Sequence, residues 1–165
     1  MREESLQRAA DAVAALVSRP VVRASADSFL QPRPLRYRRG RESPEGFYLD
    51  SIDLAKLGAL LLAPFAAGEP FRRASLDVER DAPAHAPLED APHDAVLLLD
   101  GLFLHRPELR DRWDLSILLD VAPEVAAARL LQRDGKPTRH RYVRGMELYF
   151  AAAEPARHAS LVLPS

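Results

Sequence analysis

Ala95-Val96-Leu97-Leu98-Leu99-Asp100-Gly101 is the stretch that decides the fold. An unbroken apolar run closed by an Asp-Gly pair predicts a strand buried on both faces, because a half-exposed strand would alternate apolar with polar. Leu115-Ser116-Ile117-Leu118-Leu119-Asp120 has the same character, and Pro123 follows it at a helix start. Val21-Val22-Arg23-Ala24-Ser25-Ala26, ending at Asp27, and the late run Ser160–Leu163 complete the set. The intervening segments carry helical periodicity. Residues 3–18 place Leu6, Ala9, Ala10, Val13, Leu16 and Val17 on one stripe and stop before Pro20. Further helices are expected over 52–63, capped by Asp50 or Ser51 and stopped by Pro64, then over 123–134 and over 142–153. Buried strands separated by helices predict an α/β protein with a parallel sheet. Ligands of such sheets sit at the carboxyl ends of the strands, which here carry Asp27, Asp100 and Asp120.

Composition sets the outer bounds. A chain of 165 residues, 47% hydrophobic and 28% charged, is expected to form one soluble domain over 1–165. The net charge of −1 gives no field to recruit nucleic acid or an anionic membrane. Cysteine is absent, which excludes disulfides and thiolate metal sites and fits a cytoplasmic location. Arginine supplies nearly all the positive charge, with Lys56 and Lys136 the only lysines. Residues 31–47, with three prolines and five arginines, read as a loop, and the arginine-rich part 33–41 as a mobile solvated segment rather than a binding patch. The proline-rich stretch 68–94 allows a hairpin around Phe71–Val78. Phe103, Trp113, Tyr149 and Phe150 are assigned to the core.

Several segments, in order, resemble the uridine kinase family of P-loop phosphotransferases. Val21–Phe29, closing on Ala-Asp-Ser-Phe, is similar to the strand whose terminal aspartate faces the nucleoside hydroxyl. Arg38-Arg39-Gly40 through Asp50 resembles the loop that follows in bacterial members. Leu97–His105 resembles the Walker B strand and its turn, and Leu118–Val121 with Arg129, Arg133 and Asp134 resembles a strand and arginine-bearing lid helix. Ala159–Pro164 resembles the closing strand. The resemblance implies a three-layer P-loop kinase-like sandwich and transfer of the ATP γ-phosphoryl to the 5′-hydroxyl of uridine or cytidine, in pyrimidine salvage. It implies that Asp27 orients the hydroxyl and accepts its proton, that Asp100 helps hold Mg²⁺ with ATP, and that Arg129 and Arg133 neutralise the moving phosphoryl group. Phe29, Tyr37, Phe47 and His105 would frame the base. The implied partners are a small nucleoside and a nucleotide, with no nucleic acid and no membrane. Each residue also has an ordinary structural reading: turn formers for the aspartates, a solvated helix face for the two arginines, a surface position for the histidine.

One element of the family pattern is missing. The phosphate-binding loop reads G-x-x-x-x-G-K-[ST], and its amides and lysine cradle the triphosphate. The only Gly-Lys pair here is Gly135-Lys136, followed by Pro137, with Leu130 where the first glycine belongs. The helix at 3–18 takes the place of the helix that follows this loop, so the central first strand is expected to be missing too. The expectation is that Met1 is a mis-chosen start of a longer kinase. The strands at 95–100 and 115–120 then either pair directly or leave the sheet gapped, with unpaired backbone groups that cost about 1–3 kcal/mol each when buried. Three functions stay open: a nucleoside kinase that is weak or inactive as it stands, a related kinase with another small-molecule acceptor, and a non-catalytic remnant that binds a nucleoside or a partner protein.

Overall fold

The computed structural model of the chain describes residues 10–121, 125 and 140–164. It is an α/β fold whose principal strands are parallel. Residues 10–16 form a helix (α1). Strand β1, Val21–Ser25, runs into a 3₁₀ turn, Ala26–Phe29. Helices α2 (Arg33–Arg36), α3 (Pro44–Asp50), α4 (Leu54–Leu57) and α5 (Ala63–Ala67) follow. Then come β2 (Leu76–Asp77), β3 (Ala82–Pro83), β4 (Val96–Asp100) and β5 (Ile117–Asp120). The chain closes with α6 (His140–Ala153), α7 (Pro155–His158) and β6 (Leu161–Pro164). The helix expected at 123–134 and the first part of that at 3–18 lie outside the described residues.

The strands pair two by two. β1 runs parallel to β4, with Val21 opposite Val96 and Ser25 opposite Asp100. β5 runs parallel to β6, from Ile117 opposite Leu161 to Asp120 opposite Pro164. β2 and β3 form a small antiparallel ladder, so the hairpin allowed around Phe71–Val78 lies further on, over Leu76–Pro83, and an isolated antiparallel bridge joins Phe71 to Glu89. Among the described residues β4 and β5 do not pair with each other. Each principal strand therefore has one strand neighbour, and burial is correspondingly partial. β1, β4 and β5 are mostly half-buried and β6 is exposed, where the apolar runs predicted burial on both faces.

Two compact units divide the chain. Of the described residues, one unit holds Tyr37–Leu49 with those from Phe103 onward, and the other holds those from Ala10 to Arg36 with Asp50–Leu102. The first is centred on aromatic rings: Phe103 meets Phe47, Tyr48 and Tyr149 at centroid distances of 5.1, 5.5 and 5.2 Å, in edge-on contact. Phe150, expected in the core, is 40% exposed instead, because α6 turns Tyr149 inward and its neighbour outward. The second unit buries Phe29, Leu57, Leu61 and Phe71 almost completely.

Two local expectations are corrected. Pro44 sits in a loop-like composition but opens α3, a position where its missing N–H costs nothing. Pro64 does not stop the preceding helix. Asp53, not Asp50 or Ser51, caps α4 by accepting a 3.0 Å hydrogen bond from the Lys56 amide. The chain then widens into a π-turn over Gly58–Leu62 and continues as α5 to Gly68, which is left-handed at φ 68°. Proline cannot donate to the carbonyl four residues back, that of Leu60, and the Arg72 amide donates to it at 2.8 Å instead.

Candidate functional site

Asp27 and Asp100 stand at the carboxyl ends of the β1–β4 pair. The register puts Ser25 opposite Asp100, and Asp27 lies two residues beyond Ser25 in the 3₁₀ turn. Ser25 begins that turn, its hydroxyl accepting a 3.3 Å hydrogen bond from the Asp27 amide. Gly101, at φ +154°, lets the chain leave β4 against Ala26, which is fully buried. The result is an exposed carboxylate, Asp27, beside a half-buried one, Asp100, at one end of two hydrogen-bonded strands. An exposed carboxylate of this kind can orient a hydroxyl and accept its proton, and a second can share a divalent cation through water. Phe29 belongs to the same unit and is 0% exposed, a core residue beneath the turn.

Three more of the sequence-selected residues lie in the other unit. His105 is buried and held on three sides. Its Nε2 lies 3.0 Å from the Ser116 hydroxyl, and its Nδ1 lies 3.4 Å from the Tyr149 hydroxyl. The Tyr149 oxygen also accepts the His105 amide at 3.2 Å. A phenol that accepts the amide has its single proton to give to Nδ1, which leaves the ring proton on Nε2, donating to Ser116. Burial, with the charge of His158 second, lowers the His105 pKa, so the ring is held neutral. Burial also pushes the Tyr149 phenol up to about 12, so it remains protonated.

Phe47 is buried too, packed on Tyr142 with centroids 4.5 Å apart. Tyr37 is half-buried and carries two guanidinium groups, Arg41 at 5.5 Å and Arg141 at 4.8 Å from the ring centroid. The segment read as a mobile solvated loop thus includes a short helix and a cation–aromatic cluster. Arg141 itself was not singled out from the sequence; the arginine-rich run beside Tyr37 was the available signal. Arg129 and Arg133 lie outside the described residues. The sequence-selected residues are therefore gathered as Asp27, Asp100 and Phe29 in one unit and Tyr37, Phe47 and His105 in the other. Among the described residues no group of three or more His, Cys, Asp or Glu is placed to hold a metal ion, and no helix is long and apolar enough to cross a membrane.

The fold has counterparts among solved structures. A protein described as a possible uridine kinase from Bacillus stearothermophilus superposes with a TM-score of 0.72 at 21% identity, over 96% of this chain and 79% of that one. A protein provisionally assigned as a fructose transport system kinase, from Silicibacter sp. TM1040, gives 0.63 at 23% identity, over 99% of this chain and 84% of the other. The chain shares its fold with these two solved structures. At these identities the likeness concerns the fold. No protein-family model matches the chain, and no curated protein sequence does.

Proposed function

We propose that the chain is a small-molecule kinase of the nucleoside type, passing the ATP γ-phosphoryl to the 5′-hydroxyl of uridine or cytidine, with weak turnover as the chain stands. The observation that carries this reading is the pair Asp27 and Asp100 at the carboxyl ends of adjacent parallel strands, on a fold shared with kinases. Asp27 would orient the acceptor hydroxyl and take up its proton. Asp100 would hold Mg²⁺ through water, and a single carboxylate suits an ion that keeps most of its waters. Bound MgATP would supply the phosphoryl group and the charge that balances it. The residues present fit the magnesium better than the triphosphate, since no Gly-x-x-x-x-Gly-Lys-Ser/Thr string occurs to cradle the phosphates. Arg129 and Arg133 are the proposed sources of positive charge at the transferred group.

The absence of that string favours a second reading, a protein that binds a nucleoside without turning it over. A coupled assay with uridine and MgATP, run beside calorimetric titration with uridine alone, separates the two. Turnover that Asp27→Asn abolishes while uridine still binds supports the kinase. Uridine binding with no turnover supports the binder. A chain that neither binds nor phosphorylates uridine or cytidine sinks both.

A further inference from the structure

Among the described residues Arg141 is a buried cation without a counter-anion. It is 5% exposed, at the start of α6. Its Nη1 donates to the Arg41 carbonyl at 2.8 Å, and its guanidinium lies over two rings, 4.8 Å from the Tyr37 centroid and 5.4 Å from that of Phe47. Its Nε is buried with no hydrogen-bond partner, and no carboxylate pairs with Arg141 among the described residues. A second guanidinium, Arg41, shares the Tyr37 ring at 5.5 Å and is itself exposed.

Each feature points the same way. A buried ammonium or guanidinium is costly unless paired, and two cations on one ring repel each other unless an anion lies nearby. Contact with ring faces offsets part of the cost, about 0.5–2 kcal/mol per cation. The edge left over is informative. Nη1 is taken by the carbonyl, while Nε–H and the neighbouring Nη2 form the side-on fork that matches two oxygens of a carboxylate or phosphate. Arg106, the other buried arginine among the described residues of this unit, has a carboxylate partner: its Nη2 meets Glu108 at 2.6 Å.

We infer that Arg141, Arg41 and Tyr37 form a binding site for the oxyanion of a small molecule, a phosphate monoester or a carboxylate. Arg141 grips it side-on from below, Arg41 closes from the solvent side, and Tyr37 keeps both guanidinium groups in place. The site stands independently of the phosphoryl-transfer reading, and its test involves no turnover.

The test follows the arginine Nε–Hε resonances by NMR while the purified chain is titrated with sodium phosphate, with sodium acetate, and with sodium chloride at matched ionic strength. A saturable shift of the Arg141 signal with phosphate or acetate, absent with chloride, is expected; the tighter of the two anions names the source. Arg141→Met is expected to weaken binding about tenfold or more, and Arg41→Gln about threefold. Arg41 is exposed and its carbonyl survives substitution, so Arg41→Gln decides the matter if Arg141→Met does not fold. No saturation by either anion, or undiminished binding in Arg41→Gln, overturns the site.

Discussion

Gly101 and Ala26 touch so closely that a Cβ at position 101 would stand 2.5 Å from that of Ala26. Real Cβ atoms do not approach so near, and Ala26 is fully buried, with no room to retreat. The contact lies between the two candidate catalytic carboxylates in sequence terms: Asp100 precedes Gly101, and Asp27 follows Ala26. Gly101→Ala is therefore expected to force the turn after β4 away from the turn after β1. The strained φ adds to the clash, and the loss of stability should be about 2 kcal/mol or more, read from urea denaturation.

Gly145 gives an opposite result from its helix propensity. In an open helix, glycine to alanine gains about 1 kcal/mol. Here a Cβ would meet Phe47 Cδ1 at 2.6 Å and the Pro44 carbonyl at 3.1 Å, so α6 rests on α3 through a missing side chain. Gly145→Ala should lower stability by about 1–3 kcal/mol, and a rise in melting temperature would refute the close packing.

The neutral His105 makes stability depend on pH. Its folded pKa lies below the ordinary value of 6.5, so below that value the unfolded chain binds a proton that the folded chain refuses. The stabilisation is fully present above pH 6.5 and is lost as the pH falls through the folded pKa. The groups facing the ring are Ser116, Tyr149 and His158, the last with Arg110 at 3.1 Å. Melting temperature should therefore fall between neutral and mildly acidic pH, and His105→Gln should flatten that fall.

Asp53 carries a simpler expectation. Its carboxylate accepts the Lys56 amide and pairs with the Lys56 ammonium at 3.2 Å. Asp53→Ala should cost about 1 kcal/mol through loss of the cap, while Lys56→Ala, which removes only a half-exposed partner, should cost much less. Equal losses in the two variants would show that the ion pair, not the cap, carries the effect.

Much of the architecture could be read from the chain. The runs before Asp100 and Asp120 are strands because apolar residues, unbroken over Val96–Leu99 and Ile117–Leu119, leave no polar face for a helix or loop, and the run before Asp27 is a strand although Arg23 and Ser25 interrupt it. The helix ending at Ala153 was visible from its period and from Pro155. Missed features needed partners from elsewhere. Passing Pro64 requires the Arg72 amide at the Leu60 carbonyl, which no local rule supplies. Arg141 looks like any helix-surface arginine until Arg41, a hundred residues earlier, is found beside it. The strand-end positions of Asp27 and Asp100 were legible because strand ends are local; the cluster of Arg41, Arg141 and Tyr37 was not, because it is made by packing.

Parallel pairing of β1 with β4 also governs when the two aspartates meet. Val21 and Val96 come from distant parts of the sequence, and closing so long a loop costs entropy before any ladder bond repays it. Contacts of this range are expected to form after the local turns and helices. The two aspartates are therefore expected to reach a common strand end only late in folding, so that a nascent or partly folded chain would carry them apart.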